Sequence, residues 1–97
     1  MESLEELARQ QQQNLCDFLK IELSLASTMI DLAKTTSHDE RKSQLLDKAK
    51  LALDTVRYFR WRISDREFAA HLNREADRIE TLADGVRELL ETRGISR

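Results

Sequence analysis

The chain reads as an all-α protein, an antiparallel up-down-up bundle of three helices joined by short loops. Three observations lead there. The pattern Ser-x-x-Glu occurs three times, at Ser3–Glu6, Ser37–Glu40 and Ser64–Glu67, each time directly ahead of a run with helical hydrophobic spacing. This is the capping box, in which the serine hydroxyl accepts from an orphan amide of the first turn and the glutamate reaches back to the serine amide. Breakers are scarce: there is no Pro, and the only glycines are Gly85 and Gly94, which leaves little room for strands or long loops. Finally, 97 residues suit one domain. A domain of this size buries only about 60–65% of the surface its unfolded chain exposes, so a partner adds usefully to its stability.

The whole chain, 1–97, is expected to be a single three-helix domain with helices at about 4–34, 38–62 and 65–93. In helix 1, residues such as Phe18, Leu19, Ile21, Leu23, Leu25 and Ile30 spread over an arc of about 220° at roughly 100° per residue. An ordinary surface helix needs a stripe only somewhat wider than ~100°. Helix 1 is therefore expected in the middle of the bundle, or in an oligomer contact, or both. Its segment Arg9–Asn14 carries no apolar residue and reads as exposed helix or a frayed start. Helix 2, at about 37 Å, covers helix 1 only back to about residue 11, so residues 1–12 are expected to overhang.

Helix 2 places Leu45, Leu46, Ala49, Leu53, Val56 and Phe59 on one face, with Leu51, Tyr58 and Trp61 opposite at spacing i, i+7, i+10. Helix 3 carries the stripe Phe68, Leu72, Ala76, Ile79, Val86 and Leu90, and Gly94 stands where a left-handed residue would end it, with Arg93 against the dipole. The links near Thr35–Ser37 and Ile63–Ser64 are short, which makes successive helices antiparallel neighbours. If the serines cap, Ser37→Ala and Ser64→Ala each cost about 1 kcal/mol.

Charged residues form 35% of the chain and the net charge is −2, which speaks against a dedicated polyanion binder. Cys16 is the only cysteine, so no internal disulfide forms and a reducing compartment, the cytoplasm, is expected. The start is acidic at Glu2, Glu5 and Glu6, unlike a secretion signal. The apolar runs are far too short to span a membrane.

Few residues carry chemistry. Glu22 lies near the centre of the apolar arc of helix 1, and Glu75 inside the stripe of helix 3. A buried carboxylate needs a partner, so both are expected in ion pairs or hydrogen bonds across the bundle. With Glu67 and His71 they sketch a metal site, which makes a metal-binding helical bundle a second alternative reading, but carboxylate-bridged metal bundles use Glu-x-x-His pairs, which this chain lacks. Metal, cofactor and small-molecule substrate are not expected. Cys16 has no activating cation beside it in sequence and reads as a buried structural thiol.

The most unusual local composition is Arg57-Tyr58-Phe59-Arg60-Trp61-Arg62. Arginines among aromatics can contact phosphates and stack bases, which makes a nucleic-acid accessory role through Arg57, Arg60, Arg62 and Arg66 the alternative reading. On a helix these side chains point in all directions, however. Tyr, Trp and Arg also dominate protein-binding hot spots. Leu51, Tyr58, Trp61, Arg57 and Arg62 are therefore the expected partner-binding residues.

Leu25-x-x-Thr28-Met29-x-x-Leu32-Ala33, followed by Ala49-x-x-x-Leu53-x-x-Val56, resembles one helical hairpin of the tetratricopeptide type, or of the related microtubule-interacting-and-transport domain. Glu22–Ala26 and Asp54–Phe59 are also similar to segments of short uncharacterised bacterial all-helical proteins. The resemblance covers about residues 20–62. It implies a helical scaffold for protein contacts and brings no catalytic residues. The function expected is a non-enzymatic interaction or assembly module, a homodimer or a binder of another protein.

Overall fold

The structure, a computed structural model, describes residues 3–95, and the side chains of residues 3–92. It contains α1 (Leu4–Thr35), α2 (Asp39–Phe59), a single 3₁₀ turn (Arg60–Arg62) and α3 (Arg66–Ile95). Among the described residues there is no strand, and no helix is long and apolar enough to cross a membrane. The molecule is a rod of 65 × 22 × 16 Å.

The first capping serine is where its motif puts it. Ser3 is the N-cap of α1, and its hydroxyl accepts from the Glu6 amide at 3.2 Å. The other two boxes are one residue out of step. The N-cap of α2 is His38, whose side chain makes no capping bond, while the Thr36 hydroxyl accepts from the His38 amide at 3.5 Å. At α3 the cap is Asp65: its carboxylate accepts from the Phe68 amide at 3.1 Å and its carbonyl from the Ala69 amide at 3.0 Å. Asp caps a helix as well as Ser does, so Ser64 is released to the corner before the helix. The stop expected at Gly94 is also absent. α3 continues through it to Ile95, and no glycine among the described residues has a positive φ; the Arg93 side chain lies outside the described residues.

The three helices form a triangle in which each touches the other two, and the α1–α2 hairpin is the most extensive pair. α1 is thus not the central helix the arc suggested. One side of that arc is buried, through Leu19, Leu23, Ala26, Ile30 and Ala33, against Leu46, Leu53 and Val56 of α2 and Leu72, Ala76 and Ile79 of α3. The other side is not covered. No charged or polar residue is buried, and no buried polar side-chain atom lacks a hydrogen-bond partner among the described residues.

The α2–α3 corner is tied down by a residue of α1. The Gln12 side-chain amide donates to the Arg62 carbonyl at 2.7 Å, and the Gln12 carbonyl oxygen accepts from the Ser64 amide at 2.9 Å. One side chain thereby satisfies a donor and an acceptor left free where the 3₁₀ turn ends. Before Gln12, every described residue of α1 is exposed.

Candidate interaction surface

The side of α2 that faces α3 carries a row of charge contacts. Arg57 reaches Asp77 at 2.8 Å and also bonds Glu80. Asp77 and Glu80 stand three apart, one turn of α3, so both can meet one guanidinium. Partial burial works against the Arg57 charge, but the two carboxylates outweigh it and hold the group above its ordinary value. Ten residues earlier in α2, Asp47 accepts from Arg87 at 2.7 Å. In the 3₁₀ turn, Arg60 bonds the Asn73 side-chain oxygen and lies over the Trp61 ring at 4.9 Å. Arg62 lies over the Phe59 ring at 5.4 Å. Each of the three arginines of the basic-aromatic segment therefore has a partner within the chain.

Among the described residues, neither Glu22 nor Glu75 forms the expected ion pair across the bundle. Glu22 is half-buried and forms no ion pair with any described residue. Glu75 pairs within its own helix, with Arg78 at 3.0 Å. His71 is exposed beside the Phe68 ring. No group of three or more potential metal ligands comes together among the described residues. Cys16 is half-buried. Burial pushes its thiol above the ordinary value; Lys20 offsets part of this, and Asp17 and Asp65 add to it.

The outer face of the α1–α2 hairpin carries exposed apolar residues on both helices. On α1 it comprises Phe18, Ile21, Leu25 and Leu32, with Ile21 at 64% exposure. On α2, Leu51 and Tyr58 are 67% and 70% exposed. The two strips are joined by rings. Phe18 packs edge-on against Phe59 at 6.2 Å, and Phe59 against Tyr58 at 4.9 Å. From that junction the antiparallel helices advance at the same rise per residue, so Leu25 of α1 lies about level with Leu51 of α2. On α2, Asp54 and Thr55 stand between Leu51 and Tyr58 at helical spacing, so the ring junction is the link between the two strips.

Of the expected partner-binding residues, Leu51 and Tyr58 belong to this patch. Trp61 is 79% exposed but lies elsewhere. α2 gives way to a 3₁₀ turn after Phe59, which changes the angular step, and Trp61 borders a shallow depression with Ala69, Ala70 and Asn73 of α3. Arg57 is engaged with α3, and Arg62 is stacked on Phe59. Sequence reasoning missed Gln12 and the Phe18–Phe59–Tyr58 junction. The acids at Asp77 and Glu80, one turn apart opposite an Arg-rich segment, were the available signal for the Arg57 contacts.

No family model, no characterised protein and no solved structure matches this chain. The functional reading therefore rests on the surface alone.

Proposed function

We propose that this chain is a protein-interaction module without catalytic activity, and that it associates with itself through the apolar patch of α1 and α2. The observation that carries the reading is the row of exposed apolar residues on one side of α1. Phe18, Ile21, Leu25 and Leu32 are all exposed, and Phe18 is joined through Phe59 to the exposed Tyr58 of α2. Scattered exposed apolar residues are ordinary, but a contiguous patch on a soluble chain marks a site of contact. Symmetric homodimers are the commonest assemblies. The lone, half-buried thiol of Cys16 suits a reducing compartment such as the cytoplasm. A nucleic-acid role has less support, because Arg57, Arg60 and Arg62 are engaged within the chain.

Sedimentation velocity tests the proposal. The wild-type chain should sediment as a dimer at high micromolar concentration. Ile21→Lys with Leu25→Glu should yield monomers of unchanged helicity. Trp61→Glu alone should leave the dimer intact, since Trp61 lies off the patch. A wild-type monomer at every accessible concentration refutes self-association.

A further inference from the structure

Resting on that self-association reading, the outer face of α1 specifies how two copies meet. Its exposed apolar residues Leu4, Leu7, Phe18, Ile21, Leu25 and Leu32 fall on the alternating three-and-four spacing of a coiled-coil seam. The gaps in that series are filled by Gln11, Asn14 and Thr28, which are exposed on the same face. The series runs almost the full length of α1 without a break in phase. It also extends into the segment before Gln12, where Leu4 and Leu7 are 85% and 43% exposed. Helix without tertiary packing is marginal in water, and a second helix laid along the seam supplies that packing. A strict seven-residue period drifts on a straight helix, so the pair winds into a left-handed supercoil.

We infer that α1 pairs with α1 of a second copy, parallel and in register, as a two-stranded coiled coil. Polar seam residues decide the orientation. In a parallel pair each seam residue meets its own counterpart: Gln11 meets Gln11, Asn14 meets Asn14 and Thr28 meets Thr28, so every amide and hydroxyl faces a hydrogen-bonding group. In the antiparallel alignment that sets Phe18 opposite Ile21, Asn14 instead faces Leu25. An amide shut against a leucine costs more than the one defect of the parallel pair, in which Asp17 approaches the partner's Glu22 at the wet edge of the seam. A polar residue on the seam specifies register at some cost in stability, and here Gln11, Asn14 and Thr28 each supply such a layer.

Pulsed electron spin resonance on the full chain separates the orientations, with Glu6→Cys spin-labelled in a Cys16→Ser background and unchanged helicity as the folding control. A parallel pair places the two labels about 10 Å of helix separation apart, plus the reach of the labels themselves. The antiparallel alignment separates them by roughly 40 Å along the axis. In a second arm, Asn14→Leu should tighten the dimer by roughly tenfold while broadening the distance distribution, because a polar layer is lost and the register loosens. A dimer with the long distance, or one weakened by Asn14→Leu, overturns the parallel seam and leaves self-association standing. A chain that gives no intermolecular distance at all overturns self-association itself.

Discussion

The two sides of the α1–α2 hairpin differ in the kind of contact they offer. Toward α3 the hairpin presents buried leucines edged by directed charge contacts, Arg57 to Asp77 and Glu80 and Asp47 to Arg87. On its outer side it presents Ile21, Leu25, Leu51 and Tyr58, all exposed. The first side is closed, and its polar groups have found partners. The second is built of the same residue types as the core but remains open. The arginines that suggested a binding site by composition serve the closed side, and the leucines that suggested core serve the open one.

If that division is right, the largest loss comes from the closed side. Leu53 is fully buried between the helices, so Leu53→Ala should destabilise by about 3 kcal/mol. Leu51→Ala, two residues away on the open side, should change monomer stability by less than about 0.5 kcal/mol. Chemical denaturation of dilute protein measures both, and equal losses would erase the distinction.

The polar ties come next. Gln12→Ala should cost about 1 kcal/mol, because it frees the Arg62 carbonyl and the Ser64 amide. Gln10→Ala, on the exposed overhang, should be near neutral. At the start of α3, Asp65→Ala should cost about 1 kcal/mol and Ser64→Ala much less, since the carboxylate and not the hydroxyl holds the Phe68 amide. If the order is reversed, the cap belongs to the serine after all.

A smaller gain is expected at Gly85. It stands inside α3, and an added Cβ there would meet nothing within 4 Å. Gly85→Ala should therefore stabilise by about 0.5–1 kcal/mol, which thermal melting would detect. The smallest effect is a pH dependence from Cys16. Its thiol is held above the ordinary value by burial, so the folded chain binds that proton more tightly than the unfolded one. The associated stability is complete below the ordinary thiol range and fades as pH rises through the raised value. A stability that increased across that alkaline range would point to an exposed, activated thiolate.

Much of the fold was legible in the sequence because helix formation here is a local matter. The scarcity of breakers and the apolar periodicity fixed the number of helices and their bounds to within a few residues. The capping pattern identified Ser3 but misplaced the other two starts by one residue: Asp65 takes the capping bond beside Ser64, and α2 has His38 at its N-cap with no side-chain bond, neither of which a spacing rule can rank. The candidate site was half legible. Leu51 and Tyr58 could be seen as an outer strip, but the angular step changes after Phe59 and takes Trp61 out of it. Whether the wide arc of α1 faced inward or outward depended on where α2 and α3 settle, and no single-helix pattern contains that. Gln12 was hidden for the same reason: its partners lie 50 and 52 residues away.

The most direct test of an open, self-associating face is the concentration dependence of thermal stability. A dimer that dissociates on unfolding has a Tm that rises with protein concentration, whereas a monomer does not. The wild-type Tm should climb steadily over several decades of concentration. Ile21→Lys with Leu25→Glu should melt at one temperature throughout, close to the wild-type value at high dilution. A wild-type Tm that stays flat across the same range would contradict self-association through this face.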